Sequence, residues 1–423
     1  MAAGTQYASS EPISLTNIDF ISPAHYQKNG YPHAEWAYLR RNAPVFRYDG
    51  PLTEPFWAIT KHADIINIAK QPRLFINRPR LLIFVTEQEF QNDGVPPFRH
   101  LLNMDPPEHG EYRSIVSRRF TPRGVRELEP QIERIAREVL DEVSGREHCD
   151  FVIDISSKIP LAVIAELLGV PRQDWEQLFR WTNETIGGGD PEFQQGASQQ
   201  ETIDRARLGL FQYFTDMVAE RQKHPRNDIT SIVANAKING EALPQFEMLS
   251  YYFLLVVAGN ETTRNATTGG LQALIENPEQ FQRLKKNPAL TRSAVEEVVR
   301  WTTPVIQFAR TATADTEVRG VKIREGESVC LFYPSANRDE EVFDEPFKFD
   351  IGRDPNPHIA FGIGEHFCLG ANLARLELEV IFRQLAERLE FAERTGPIER
   401  LRSSFVGGIK HMPIRMKLNP ARS

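Results

Sequence analysis

The run Phe361-Gly362-Ile363-Gly364-Glu365-His366-Phe367-Cys368-Leu369-Gly370 places one cysteine among three glycines. Glycines at 362 and 364 permit a tight turn, so the backbone can curl around the sulfur and approach a flat ligand closely. Phe361 can shield the sulfur from water, and the helix that opens after Gly370 can direct backbone N–H groups at it, which would lower the thiol pKa. The stretch therefore predicts a thiolate held in a shielded loop, where it can bind a metal.

Three other interpretations of this cysteine are possible in principle. An ordinary buried cysteine in a loop is the main alternative, because a lone cysteine in an intracellular protein usually has that role. A dinucleotide-binding glycine loop is excluded, since Phe367 stands at the position of the third glycine. A zinc finger is excluded as well, because neither Cys149 nor Cys330 has a second cysteine or a histidine at the required spacing.

The order of Phe361, Gly362, Gly364, His366, Cys368 and Gly370 resembles the signature of the cytochrome P450 family, and the resemblance extends roughly over residues 31–418. It implies a mainly α fold with small β-sheets, in one large domain over residues 1–423 whose first 20 residues are loosely ordered. It also implies haem b (iron protoporphyrin IX) as cofactor, with Cys368 as the iron ligand. Segments 258–265 and 366–375 look most like bacterial enzymes that hydroxylate sterol side chains and methyl-branched lipids.

Composition and charge are those of an ordinary folded protein. Of 423 residues, 41% are hydrophobic and 25% are charged, and the formal net charge of −7 argues against nucleic acid as a partner. The longest apolar run, residues 251–259, is much shorter than the roughly twenty residues that span a bilayer. Met1 to Ser14 has no secretory or anchor pattern, and three cysteines leave no disulfide framework. These features predict a cytoplasmic protein without a membrane anchor.

Apolar periodicity divides the chain into β-like and helical parts. Alternating runs predict strands at 45–48, 56–60, 305–312, 316–323 and 328–332. Apolar residues at three- and four-residue spacing predict helices at 107–119, 126–144, 157–168, 172–185, 201–223, 244–276, 290–301 and 371–388. Two loops remain, the apolar connection 78–103 and the glycine-rich segment 187–191, which resembles the hinge between the lid helices of the family; variable surface loops are the alternative for both.

A second polar constellation interrupts an apolar helix at Ala258-Gly259-Asn260-Glu261-Thr262-Thr263. Gly259 leaves room for a flat ligand, and Thr262 can bond back to a carbonyl one turn earlier, which opens the helix. The segment matches the family motif over the distal face of the haem. The resemblance implies that Glu261 and Thr262 are the catalytic pair that delivers protons while dioxygen is cleaved. Taken alone, Glu261 is equally well explained as a surface carboxylate.

The resemblance also assigns residues to the haem and to its support. Basic groups for the two haem propionates, and residues that flank the thiolate, are His109, Arg113, Arg310, Phe361, His366 and Gly370. Glu297 and Arg300 share a helix face at i and i+3, and with Arg353 they resemble the structural triad that braces the haem pocket. Each of the charged residues in this set, taken alone, would be an ordinary surface charge.

The family positions for substrate contact carry overwhelmingly apolar residues in this chain, which predicts an apolar substrate and acceptance of several related molecules. These positions are Leu82, Phe84, Phe98, Leu102, Trp181, Ile186, Leu255, Ala258, Val305, Ile306, Phe308 and Phe405. An arginine of the long loop, such as Arg80 or Arg99, could bind a substrate carboxylate.

The implied activity is a monooxygenase that inserts one oxygen atom from O2 into a C–H bond of a steroid or sterol side chain, a terpenoid or a branched aliphatic chain. The sequence shows no flavin- or nicotinamide-binding segment, so electrons come from outside, from a ferredoxin and its reductase. Ferredoxin docks, in this interpretation, on the basic cluster of Arg118, Arg119, Arg123 and Arg126; a solvated helix face is the alternative. Two other functions stay open, a peroxide-dependent hydroxylase and a non-catalytic haem-based ligand-binding or sensor protein.

Overall fold

The computed structural model describes residues 13–50, 53–83 and 99–421. Most regular structure in these ranges is helical, and the helices are α1 Pro23–Asn29, α2 His33–Asn42, α3 His62–Ala69, α4 Glu108–Ser117, α5 Pro122–Arg126, α6 Glu129–Val143, α7 Lys158–Leu168, α8 Trp175–Ile186, α9 Gln199–Lys223, α10 Ile229–Ala234, α11 Gln245–Glu276, α12 Pro278–Lys286, α13 Thr291–Thr302, α14 Tyr333–Ala336 and α15 Ala371–Arg388.

The strands are short and belong to small sheets at the edges of the helical body. They are β1 Val45–Tyr48, β2 Phe56–Ile59, β3 Phe75–Ile76, β4 His148–Asp150, β5 Lys237–Ile238, β6 Glu241–Ala242, β7 Gln307–Ala312, β8 Thr316–Val318, β9 Val321–Ile323, β10 Ser328–Phe332, β11 Leu389–Arg394, β12 Glu399–Arg400, β13 Ile409–His411 and β14 Pro413–Leu418.

The largest sheet has the strand order β1-β2-β10-β7-β3. Strand β10 runs parallel to β2 and antiparallel to β7, with Leu331 opposite Phe308 and Val329 opposite Arg310. A second sheet, in the order β11-β14-β4, joins the C-terminal strands to β4, and β12 pairs with β13 in a two-stranded ribbon. The sheet strand β7 thus carries an aromatic and a cationic side chain toward the helical body.

Helix α11 is the central element of the helical body. It has 32 residues, is buried on nearly all sides and packs against α7, α8, α9, α13 and α15. Gly270 permits part of this packing, because a Cβ there would collide with Phe382 of α15 and Val298 of α13. Its apolar run is therefore a core helix of the protein, as expected for a helix that is hydrophobic all round. Across the described residues, no helix combines the length and the apolar character needed to cross a membrane.

The predicted mainly α fold with small sheets is confirmed, and the long helices lie where periodicity placed them. The sequence interpretation missed the helices α1, α2, α3, α5, α10, α12 and α14, the strands β3 to β6 and the strands that follow α15. Helix α2 shows why: within it only Trp36, Leu39 and Arg40 are buried. Trp36 packs against Phe332 of the sheet. Tertiary contacts of this kind stabilise short helices that carry little periodic signal of their own.

Candidate active site

Cys368 lies in the loop that leads into α15, and glycines shape that loop. The N–H of Cys368 donates to the carbonyl of Phe361 at 2.9 Å, which closes the turn around the sulfur. Gly362 and Gly364 have φ values of 68° and 76°, in the region that favours glycine. A Cβ on Gly364 would lie 2.5 Å from the carbonyl oxygen of Ala69, at the end of α3. Gly364 is therefore required by backbone conformation and by close packing together.

The Cys368 side chain is exposed to an internal cavity. Burial in the protein raises the pKa of its thiol, while the N–H of Gly370 and the cations Arg113 and Arg375 act to lower it. The sequence suggested a lowered pKa, whereas burial gives the larger effect because it removes the sulfur from bulk water. A bound metal cation would favour the thiolate and reverse this balance.

The space beside Cys368 totals about 1560 Å³ when its solvent-open part is included. One wall is the Cys368 loop with the start of α15, a second is the middle of α11, and a third is the segment around β7. The wall that α11, α13 and the β7 segment form is mainly apolar and includes Leu254, Leu255, Ala258, Ala266, Val299, Val305 and Phe308. Such a cavity suits a large flat group on the sulfur and an apolar molecule beside it.

Four basic side chains also line this cavity: His109, Arg113, Arg310 and His366. The rings of His109 and His366 lie 4.2 Å apart, and the Nε2 atom of His366 is buried without a protein partner. Burial and the positive charges of Arg310, His109 and Arg113 lower the pKa of His366 to about 2.

These groups converge on one region from α4, β7 and the cysteine loop, although they are distant in sequence. Cations and an unpartnered ring nitrogen around one cavity form a binding site for anionic groups. A thiol together with this cation set fits an iron porphyrin that carries two carboxylates. Phe361 and Gly370, predicted to flank the same group, line the cavity as well.

Thr262 and Glu261 point to different sides of α11. Thr262 lines the cavity, and its hydroxyl donates to the carbonyl of Ala258 at 3.0 Å. Glu261 is buried away from the cavity wall, and its carboxylate pairs with Arg264, which also donates to Asn183 of α8 at 2.9 Å. Burial raises the pKa of Glu261, and Arg264 opposes this rise.

The predicted triad residues Glu297 and Arg300 both lie on α13, where Glu297 pairs with Arg300 and with Arg353. Arg300 is fully buried and binds both carboxylate oxygens of Glu297, at 2.7 and 2.8 Å. Arg353 approaches the same carboxylate at 3.3 Å. Arg300 also donates to the carbonyls of Asn337 and Pro346, so it ties α13 to the chain that leads to the cysteine loop.

The predicted substrate positions divide into two groups. Leu102, Leu255, Ala258, Val305 and Phe308 line the cavity. Leu82, Trp181, Ile186, Ile306 and Phe405 are not among its described lining residues, and Phe84 and Phe98 lie outside the described residues.

Physical causes for these other positions are visible in the packing. Ile306 is fully buried in the cluster beneath the large sheet, on the side away from the cavity. Trp181 lines a separate surface groove together with Arg180 and Leu208. Phe405 packs on the ring of Phe308, with centroids 5.6 Å apart, so it supports a lining residue without lining the cavity itself.

The sequence interpretation missed Glu377, which lines the cavity from α15. Its carboxyl is buried, the Oε2 atom has no partner, and burial raises its pKa well above the ordinary value. A sequence signal existed, because Glu377 lies four residues after Leu373 and hence on the same helix face as a buried apolar residue. Thr263 and Ile164, two further lining residues, carry no comparable signal.

Comparisons with known proteins agree with this architecture. The family model described as cytochrome P450 matches residues 193–417. The steroid C26-monooxygenase of Mycolicibacterium smegmatis is 40% identical over 411 residues, which cover 95% of this chain and 94% of that protein. A methyl-branched lipid omega-hydroxylase of Mycobacterium tuberculosis is 37% identical, with 95% and 94% covered.

A solved structure extends the agreement to three dimensions. The cytochrome P450 of Mycobacterium marinum in complex with pseudoionone superposes with a TM-score of 0.87 at 33% identity, covering 96% of this chain and all of that one. The chain therefore belongs to the cytochrome P450 family, whose members bind haem b through a cysteine thiolate and act as monooxygenases.

Proposed function

We propose that this monooxygenase hydroxylates a steroid or sterol side chain, a terpenoid or a branched aliphatic chain, with electrons from an external ferredoxin. The observation that carries the proposal is the mainly apolar wall that α11 and β7 turn toward Cys368. An apolar wall selects an apolar molecule by burial and discriminates weakly among close relatives. Relatives named for steroid and methyl-branched lipid hydroxylation support the same substrate classes.

In this proposal Cys368 holds the haem iron, and His109, Arg113, Arg310 and His366 hold the haem carboxylates. When bound, the haem supplies the iron centre at which dioxygen is reduced and the substrate C–H bond is oxidised. The protein contributes the ligand, the paired charges and a cavity that excludes water from the reacting atoms.

Thr262 and Glu261 have separate tasks in the proposal. Thr262 lines the cavity, and its hydroxyl can donate a hydrogen bond there once it releases the carbonyl of Ala258. Glu261 is paired with Arg264, so its carboxyl must leave this partner before it can pass a proton toward Thr262. Burial raises the pKa of Glu261 and Arg264 opposes this rise, so separation from Arg264 would favour the protonated carboxyl.

Paired arginines near the substrate loop favour an uncharged substrate over an acid. Arg99 already binds Glu247 at 2.7 Å and also pairs with Glu108. Arg80 already pairs with Glu54. A substrate carboxylate would have to displace these protein carboxylates, which costs about as much as it gains.

The proposed docking surface for ferredoxin lies beside the cysteine loop. Arg118, Arg123 and Arg126 are exposed, and Arg119 is half-buried against Asn227. The neighbouring Arg113 donates to the carbonyl of Phe367, the exposed residue before Cys368. A small acidic protein on this surface would lie on the sulfur side of the cavity, where an electron has a short path to the iron.

A spectral titration of the purified protein tests the substrate class. The panel contains a sterol with an intact side chain, a terpene alcohol, a methyl-branched fatty alcohol and an aromatic acid. We expect the low-spin to high-spin shift with the first three, and binding at least about tenfold tighter than for the aromatic acid, because only apolar groups fit the wall. Reconstitution with a ferredoxin and its reductase should then yield an alcohol.

Matched variants make this titration specific. Leu255→Trp places a larger side chain in the cavity and should weaken binding of the sterol by about tenfold or more. Leu208→Trp changes an exposed residue of the separate groove and should leave sterol binding unchanged. A shift caused only by the aromatic acid would contradict the substrate proposal. Product formation with peroxide but not with ferredoxin would favour the peroxide-dependent alternative, and binding without any product would favour the sensor.

A further inference from the structure

A cluster of carboxylates and one imidazole lies outside the catalytic cavity, between the α8–α9 loop (residues 187–198) and the C-terminal strands. Glu399 of β12 lies directly opposite His411 of β13 in the ribbon, so both side chains share one face. Glu192 of the α8–α9 loop meets them from above that face. One ligand atom from each of Glu192, Glu399 and His411 lies within 4.8 Å of the others.

The imidazole of His411 is fixed in orientation by Asp150. Its Nδ1 atom lies 2.6 Å from a carboxylate oxygen of Asp150. The second Asp150 oxygen accepts the N–H groups of Val152 and Met412, at 2.9 and 3.2 Å, so the carboxylate cannot turn away. A carboxylate on one ring nitrogen is the arrangement that orients metal-binding histidines and leaves the other nitrogen for the metal.

The other ring nitrogen faces an acceptor. Nε2 of His411 lies 3.0 Å from Oε1 of Glu192. When Nδ1 carries the ring proton, two lone pairs oppose each other at this distance, and a cation between them removes the repulsion. That cation is a proton or a metal ion.

The cluster holds more carboxylates than ammonium groups, so it attracts a cation. The ammonium group of Lys410 binds Asp190 and Glu192, each at 2.8 Å. It therefore uses only one oxygen of Glu192 and balances one of the four carboxylates in the cluster, which belong to Asp150, Asp190, Glu192 and Glu399. The remaining negative charge faces the imidazole.

We propose that Glu192, Glu399 and His411 bind a divalent transition-metal ion of the zinc class, with water as a fourth ligand. Ligand atoms around tetrahedral zinc are about 3.4 Å apart, given bonds of about 2.0–2.2 Å to nitrogen and oxygen. Glu192 and His411 are already near this separation, and the exposed side chain of Glu399 needs only a small rotation to reach it. Two carboxylates and one imidazole are hard to borderline ligands, which fit Zn²⁺ in preference to copper(I).

Metal binding would attach the α8–α9 loop to the C-terminal ribbon. The loop joins α8 and α9. Both helices pack on α11, which forms one wall of the catalytic cavity. Asp190 in the same loop is fully buried and accepts the N–H of Arg402 at 3.1 Å, so the loop already rests on the segment before β13. The ion would add a ligand bridge at the more exposed side of this contact, and the inference is independent of the substrate proposed above.

Calorimetric titration of the holoenzyme with Zn²⁺ alone, at about pH 8 after dialysis against chelator, tests the site. We expect one ion per chain with a dissociation constant near the micromolar range. His411→Gln and Glu399→Gln should each weaken binding by more than about tenfold, and Asp150→Asn by about 10- to 100-fold through loss of the orienting hydrogen bond. His224→Gln, which changes an exposed histidine elsewhere, is the matched control and should bind as the parent does.

A second readout separates site binding from surface binding. Zn²⁺ should slow hydrogen exchange of residues 187–198 in the parent protein and leave it unchanged in Glu399→Gln, which alters an exposed side chain and should fold normally. Uptake of no Zn²⁺ at millimolar concentration would overturn the proposal and leave a proton on His411 as the bridging cation. Equal Zn²⁺ affinity in His411→Gln, Glu399→Gln and the parent would overturn it too.

Discussion

Thr262 shows how one hydroxyl can serve two roles at the residue scale. Its hydroxyl donates to the carbonyl of Ala258 within α11, and the side chain also borders the cavity. Thr267, one turn and a half later, makes the same type of bond to Thr263 at 2.8 Å but is fully buried and does not line the cavity. The two threonines therefore share a helical function, and only Thr262 is placed for chemistry.

Replacement of Thr262 by alanine should uncouple oxygen consumption from product formation. We expect alcohol formed per O2 consumed to fall by about tenfold or more, because a positioned proton donor contributes roughly that much or more to such a step. Oxygen uptake should continue, and Thr262→Ser should restore most of the yield. Product and oxygen uptake, measured together, check this.

Thr267→Ala is the control for loss of a helical hydroxyl, and it should leave the ratio of product to oxygen near that of the parent. An unchanged ratio in Thr262→Ala would contradict the proton-delivery role of Thr262.

The place of a residue in the site could be predicted from the sequence where spacing along the chain fixes it. The glycines and Cys368 lie in one continuous segment, so their relation needed no tertiary information. Side-chain direction was harder, because Ile306 lies next to lining residues yet packs in another cluster. Trp181 lies on α8, which contributes no described residue to the cavity lining. Glu377 was missed for a related reason, since a carboxyl in an apolar helix face is usually solvated.

At the scale of elements, the cysteine loop is held between α3 and α15. Gly364 passes so close to Ala69 that a side chain cannot fit, and the loop ends where Ala371 starts α15. Arg375 of α15 reaches back over the ring of Phe361 at 4.5 Å. The loop geometry therefore depends on two helices that are separated by 300 residues of chain.

Gly364→Ala should destabilise the protein and reduce haem incorporation. The left-handed backbone at φ 76° costs a non-glycine residue about 1–2 kcal/mol, and overlap with Ala69 adds to that cost. We expect at least about 2 kcal/mol lower unfolding free energy in urea. The fraction of protein that gives the reduced carbon monoxide band of thiolate ligation should fall in parallel.

Gly110→Ala provides the matched control within α4, where an added Cβ meets nothing within 4 Å. A helix-favouring alanine there should leave stability unchanged or raise it by up to about 1 kcal/mol. Equal stability and haem content in both variants would contradict the requirement for glycine at position 364.

Elements with long periodic patterns, such as α11 and α15, were predictable because burial on one side or all round leaves a mark on the sequence. Strands β11 to β14 were not, since β11 has only Leu389 buried and its pattern is that of a polar surface segment. Pairing with β14 across the sheet, which no local signal reports, determines that strand.

At the scale of the whole molecule, buried and half-buried ion pairs join segments that are far apart in sequence. Glu296 of α13 binds His358, in the chain before the cysteine loop, at 3.0 Å and Arg375 of α15 at 2.6 and 2.9 Å. Next to it, Glu297 and Arg300 join α13 to residues 337–353. These two carboxylates therefore connect three regions that surround Cys368.

The stability of the protein should depend on pH through Glu296. Burial alone would raise its pKa, but hydrogen bonds from His358 and Arg375 lower it from an ordinary value of 4.5 to about 2. Because the unfolded chain binds the proton first as pH falls, the stability from Glu296 is complete above about pH 4.5 and is lost toward pH 2. Glu296→Gln should therefore be less stable at pH 7 by roughly 1–3 kcal/mol, a range that allows for solvent screening.

The difference between Glu296→Gln and the parent should narrow as the medium is acidified, by up to about 1.4 kcal/mol for each pH unit below 4.5. Urea unfolding at several pH values between about 3.5 and 7 measures it. Glu345→Gln, which removes an exposed partner of Lys348, should change stability by less than about 0.5 kcal/mol throughout. A constant difference at every pH would show that Glu296 acts through packing, and the ion pairs would then not be what holds α13, α15 and the cysteine loop together.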